Sequence, residues 1–142
     1  MDRARRLVKL SSDTRDLVER RAQGSCEYCR FPQSASILPH HVDHIIGRQH
    51  RGSDDVDNLC LCCIRCNLKK GPNIASIDSE TSKIVALYHP RRQSWREHFA
   101  VGADGSIRGV TAEGRATVQL LDMNEEGRIR LRTLLLRRGW RP

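Results

Sequence analysis

His41, Asp43 and His44 lie close together in "HVDHII", residues 41–46. A neutral imidazole takes up a proton near pH 7, and a carboxylate oxygen suits a hard cation. The apolar neighbours are branched and the pattern alternates enough for a short strand. On a strand, adjacent side chains point to opposite faces, so His41 shares a face with Asp43 while His44 diverges. The bland reading of the same residues is a polar edge strand whose histidines face water.

Two cysteine pairs enclose this segment. Cys26 and Cys29 form one CxxC, and Cys63 and Cys66 form another. Two residues between thiolates let both sulfurs converge from one turn on a tetrahedral ion. Two pairs make a closed four-thiolate shell with no open position, which predicts a structural zinc. Such binding contributes folding free energy on the order of 10 kcal/mol. The second pair lies in the crowded run "CLCCIRC", so the choice of thiols is not unique. Cys63 and Cys66 have the right spacing at a strand-to-helix turn. Cys60 and Cys62 fall on the strand before it, where a free cysteine behaves as a small buried hydrophobe.

The stretch between the pairs, "HVDHIIGRQHRGSDDVDNLCLCCIRCNLKKG", resembles the HNH endonuclease family, and the flanking pairs resemble its zinc-stapled subgroup. The close match runs from about Cys26 to Gly71. Asp43-His44, Asn58-Leu59 and Asn67 stand at the three motif positions. The later "HPRRQSWREHF" and "GRATVQLLDMN" also look like parts of small stand-alone bacterial HNH proteins. The resemblance implies a small α+β fold with a ββα-metal core and a cytoplasmic protein of bacterial or phage-related origin.

Phosphodiester hydrolysis needs an activated water and positive charge at the leaving oxygen, which one divalent cation provides. Mg²⁺ prefers oxygen ligands and keeps several waters, so one carboxylate and one amide oxygen suffice. The resemblance implies that His44 is the general base and that Asp43 and Asn67 hold Mg²⁺ or Mn²⁺. It also implies that Asn58 braces the loop that orients His44, and that the products are a 5′-phosphate and a 3′-hydroxyl. This chain departs from the family twice. Asn67 stands where many members have histidine, which favours a hard cation. Gly47 stands where proline is frequent, which predicts a looser loop.

A net charge of +8, with arginine predominating, favours an anionic partner. Candidate contacts to nucleic acid are His41, Arg48, His50, Arg51, Lys69 and Lys70, with Arg91 and Arg92 extending the surface. Such contacts fix register without reading sequence. Aromatic residues make up only 4% of the chain, which disfavours single-strand recognition by stacking and points to duplex DNA. Trp95 and Phe99 are expected in the core, and His40, His89 and His98 at the surface. Cutting both strands would require two sites, as in a homodimer. Two other classes compete: a zinc-containing nucleic-acid-binding module that does not cut, and a structural zinc domain that recruits a protein.

The supporting elements follow from local patterns. Residues 12–23 predict a helix capped by Ser12 or Asp13, with Leu17 and Val18 on its apolar face and Gly24 as its stop. "VDNLCLCC" predicts a second strand, and "IRCNLKKG" a short helix ended by Gly71 and Pro72. Strand-like pieces are expected over 84–111, with a hairpin turn at 102–105, followed by two helices. The whole, 1–142, reads as one domain: an HNH and zinc core over about 24–73, an N-terminal helix, and C-terminal decoration over about 84–140. The basic N-terminus is followed by no apolar stretch of signal-peptide length, and no run of apolar residues reaches membrane-spanning length, so neither export nor a membrane partner is expected.

Overall fold

The computed structural model describes residues 10–142; most of the basic N-terminal stretch lies outside the described residues. The architecture is α+β. Among the described residues five α-helices, α1 (Ser12–Arg21), α2 (Ile64–Lys70), α3 (Trp95–His98), α4 (Ala112–Leu120) and α5 (Glu126–Arg137), accompany three two-stranded antiparallel sheets. These pair β1 (His41–His44) with β2 (Leu59–Cys62), β3 (Ala75–Ile77) with β4 (Ile84–Ala86), and β5 (Phe99–Val101) with β6 (Ile107–Gly109).

The β1–β2 register sets Asp43 opposite Cys60 and His44 opposite Leu59. Because side chains alternate, one face carries His41, Asp43, Cys60 and Cys62, and the other carries Val42, His44, Leu59 and Leu61. α1 covers the second face through Val18 and Ala22. The first face joins the main core, where Tyr28, Ile45, Tyr88, Trp95, Phe99, Ile107, Leu121 and Met123 are buried with the cysteines. Elements from the C-terminal half thus pack directly on the cysteine-rich segment. The Trp95 indole N–H donates to the Tyr28 carbonyl at 2.7 Å across the two halves.

Four local expectations need correcting. The N-cap of α1 is Ser11, whose hydroxyl accepts from the Thr14 N–H, rather than Ser12 or Asp13. Residues 95–98 form a helical turn rather than a strand, because Trp95 and His98 need to face the core together. His98 is buried rather than at the surface, and holds Thr111 at 2.6 Å. His40 is also buried, with its Nε2 2.9 Å from the Phe31 carbonyl. The hairpin at 102–105 is present, closed by the Gly105 N–H donating to the Gly102 carbonyl. Among the described residues no helix is long and apolar enough to cross a membrane.

Candidate functional site

The four thiols come together because two turns are built to aim them. In the first turn, the Cys26 N–H donates to the Phe31 carbonyl and the Arg30 N–H to the Cys26 carbonyl. Arg30 takes a φ of 67° to close it, and the Cys29 N–H points at Cys26 Sγ. In the second, Cys63 caps α2, its sulfur accepting from the Cys66 N–H. Glu27 ties the turns together: its N–H donates to the Leu61 carbonyl, and its carboxylate accepts the Leu61 N–H at 2.8 Å.

The result is a buried cluster in which the Sγ atoms of Cys26, Cys29, Cys63 and Cys66 lie within 4.8 Å of one another. Cys29 and Cys63 are 3.7 Å apart. A tetrahedral zinc with Zn–S bonds of about 2.3 Å requires S–S edges of roughly 3.8 Å, so the cluster fits that ion. Burial pushes the Cys26 and Cys66 thiols well above their ordinary pKa, while hydrogen bonds from Cys26, Cys63 and Cys66 draw Cys29 well below it. A dication held by these four thiols would supply the charge that lets them ionise. Cys60 and Cys62 are buried on β2 and stand outside the cluster.

An arginine from the far end of the chain completes the surroundings. Arg128 on α5 is buried and directs Nη2 at Cys66 Sγ, 2.9 Å away, while its Nη1 donates to the Leu121 carbonyl at 2.7 Å. Desolvation by burial pulls its pKa down, but the neighbouring Cys66, Cys29 and Cys63 outweigh it and raise the pKa. A zinc held by four thiolates would carry net negative charge, which a buried guanidinium would offset. Nothing in the basic helix pattern of "GRIRLRTLLLRRG" distinguishes Arg128 from its neighbours, so only the packing reveals it.

β1 ends at His44, and residues 45–58 form a loop whose two ends meet. The Ile45 N–H donates to the Asn58 carbonyl at 2.8 Å. The Asn58 carboxamide accepts from the Ile46 N–H at 2.9 Å and donates to the Ile46 and Ser53 carbonyls at 2.9 and 2.7 Å. Gly52 makes the closure possible, since a Cβ there would sit 1.6 Å from the Ile46 carbonyl oxygen. Gly47 has a φ of −67°, the value a proline ring imposes, so the loop follows a path proline would also take.

Residues 26–73 match the family model described as HNH endonuclease. No curated protein and no solved structure gave a significant match to the chain. The HNH segment therefore covers the cysteine cluster, β1, the closed loop, β2 and α2, and its four-cysteine cluster fits the zinc-binding subgroup.

Within the HNH segment, His44 and Asp43 occupy the last two positions of β1. His44 Nε2 is 2.7 Å from Asp54 Oδ1, and Arg48 reaches the same oxygen at 3.1 Å. The hydrogen bond from His44, followed by Arg48, holds Asp54 below the usual carboxylate range. Asp54 carries no signal of its own in the sequence: "GSDD" reads as a turn, and only the loop's path brings the carboxylate back to β1. Asp43 is half-buried, and its Oδ2 is buried without a hydrogen-bond partner among the described residues. Desolvation raises its pKa, opposed by the nearby charge of Lys70 and by His44. Asn67 is half-buried on α2, and its carboxamide forms no hydrogen bond among the described residues. A carboxylate oxygen without a partner and a free amide oxygen fit a hard cation.

The expected nucleic-acid contacts separate into different environments. His41, Arg48, His50, Arg51 and Lys69 are exposed. His50 Nε2 lies 3.0 Å from the Pro72 carbonyl and pins the loop to the end of α2, and Lys69 is 3.7 Å from Asp122. Lys70 does not belong on that surface. It is 2% exposed, because the seven-residue helix turns it inward toward Asp43. Arg91 is likewise drawn inward, paired with the buried Glu27.

Proposed function

We propose that the protein is a metal-dependent endonuclease that hydrolyses phosphodiester bonds in duplex DNA, built on a ββα-metal core of β1, β2 and α2. The observation that carries this reading is the Asp43 carboxylate, with a buried oxygen left without a partner, beside His44 in a segment that matches the HNH family. A buried polar atom without a partner costs about 1–3 kcal/mol, so its retention argues for a partner that arrives with function.

In this reading Asp54 accepts the Nε2 proton of His44, leaving the Nδ1 lone pair to take a proton from the attacking water. Asn58 maintains the loop that presents Asp54, and so positions His44 without touching substrate. Asp43 and Asn67 would hold a divalent cation such as Mg²⁺ or Mn²⁺, which would supply positive charge at the leaving oxygen. Arg48, Arg51, His41, His50 and Lys69 contact phosphates and fix the register of the duplex. The zinc held by Cys26, Cys29, Cys63 and Cys66 is structural, since four protein ligands leave no open position.

The test is plasmid nicking by the zinc-loaded protein with Mg²⁺ or Mn²⁺, beside His44→Ala of verified zinc content and melting temperature. Nicking by the wild type and its loss in the folded variant are expected. Wild-type protein that binds DNA but never nicks it, in either metal, would instead identify a non-cutting zinc module. Equal nicking by His44→Ala would remove His44 from the role of base.

A further inference from the structure

Lys70 raises a problem that the nuclease reading leaves open. Its ammonium is buried, and its one hydrogen bond among the described residues is a 3.5 Å approach to the Gly71 carbonyl. It forms no ion pair there; Asp43 is near enough to be felt but not close enough to pair. Burying an ammonium with so few partners is costly, and an anion seated against it offsets that cost. If Asp43 shares its charge with a divalent cation, the need for a second anion grows.

Lys70 lines a cavity of about 390 Å³. Its other walls include Ile45 and Ile46, which directly follow His44, together with Tyr88, His89 and Arg92. Among the described residues no acidic one lines it. Arg92 is exposed at the rim and forms no ion pair among the described residues. His89 Nδ1 accepts the Arg91 N–H at 3.2 Å, which leaves Nε2–H as the donor on the ring's other side. Desolvation lowers the His89 pKa, and the charges of Arg92 and Lys70 lower it further, so these groups feel one another. His89 and Arg92 lie beyond the segment matched by the family, so the later part of the chain supplies most of this wall.

We propose that this cavity is a phosphate-binding subsite for the DNA strand, in which Lys70, His89 and Arg92 hold a phosphate neighbouring the one to be cleaved. The inference rests on the nuclease reading for the identity of the strand and its polarity, but not for the binding itself. It assigns the "HPRR" segment a share in substrate binding and turns Lys70 from a surface contact into the floor of a pocket. Ile45 and Ile46, which line the cavity, directly follow His44 along the chain, so the cavity adjoins the end of β1.

The test compares the full-length zinc-loaded wild type with Arg92→Ala, His89→Gln and Lys70→Met, all without Mg²⁺ or Mn²⁺. Binding to a short fluorescent duplex is followed by anisotropy across a range of salt concentrations. Arg92→Ala is expected to weaken binding roughly tenfold, as loss of a charge-assisted contact does. It should also lower the slope of log Kd against log salt by about 1. In parallel, inorganic phosphate is titrated while the His89 ring resonances are recorded by NMR. Shifts with both phosphate and duplex, together with the lower slope, support the subsite. Shifts with inorganic phosphate but unchanged duplex affinity and slope in Arg92→Ala and His89→Gln would overturn it in favour of a free-phosphate site. No shift and no affinity change would overturn it outright. Lys70→Met is read only if its zinc content and melting show a fold; the other two variants decide the question without it. Nicking is scored separately. Intact nicking with wild-type binding by the variants refutes the subsite alone, whereas a wild type that never nicks, while the variants still bind more weakly than it does, refutes the nuclease alone.

Discussion

Replacing Asn58 with alanine is the sharpest perturbation of the candidate site that leaves every proposed reacting group in place. Asn58 is 9% exposed, and its carboxamide makes three hydrogen bonds, to the Ile46 N–H, the Ile46 carbonyl and the Ser53 carbonyl. At a net value near 1 kcal/mol each, their loss costs about 3 kcal/mol, with more where the Ile46 N–H stays dry and less where water enters. For a chain of this length that is a fall in melting temperature of roughly 5–15 °C if the loss is global. Part of it is expected to be local, because the loop opens more easily than the core. The assay is therefore thermal melting together with hydrogen exchange at the Ile46 amide, whose protection should fall roughly tenfold per 1.4 kcal/mol. Zinc content should be unchanged, since the cysteine turns are held by other bonds. Asn58→Asp keeps an acceptor for Ile46 but sets a carboxylate against two carbonyls, so it should be no better than alanine. A variant that melts like the wild type and keeps Ile46 protected would refute the view that this side chain closes the loop.

Three further outcomes follow from the geometry. Gly52→Ala puts a Cβ onto the Ile46 carbonyl oxygen, so it should open the same loop and release the His44–Asp54 contact; unchanged His44 ring shifts by NMR would count against this. Arg128→Met should lower zinc affinity about 10- to 100-fold in a chelator competition, as loss of a group supporting the ligands does, and equal affinity would remove Arg128 from that role. Asp78 is buried beneath Arg115, whose guanidinium holds its carboxyl well below the ordinary range, with Thr81 adding a hydrogen bond. A depressed carboxylate pKa gives stability that is complete above the ordinary value of about 4 and is lost as pH falls through the depressed one. Asp78→Asn should therefore melt lower than wild type at pH 7, with the gap narrowing below about pH 4; a gap that widened on acidification would contradict the assignment.

The chemistry of the site is legible in the sequence wherever it depends on spacing along the chain. CxxC is a local device: two residues between cysteines put both sulfurs on one side of one turn. The four thiols selected by that spacing are the four that cluster. The strand period likewise sets His41 and Asp43 on one face, and it leaves Cys60 and Cys62 buried on β2 rather than in the cluster. Helix α2 and its stop at Gly71, with a φ of 50°, are also local matters.

What spacing cannot decide is which side chains from distant segments meet. Asp54 reaches His44 only because Asn58 and Gly52 fold the loop back on itself. Arg128 reaches Cys66 from 62 residues away, and nothing in its helix marks it among the other arginines. Lys70 reads, along the chain, as the second of two surface lysines. Its burial beside Asp43, at the floor of a cavity shared with His89 and Arg92, follows from how α2 seats against β1 and from the later segments that pack over it. Local sequence sets turns, periods and ligand spacing, because these are interactions between near neighbours. Burial and long-range charge pairing belong to the whole fold, because they depend on what the rest of the chain places nearby.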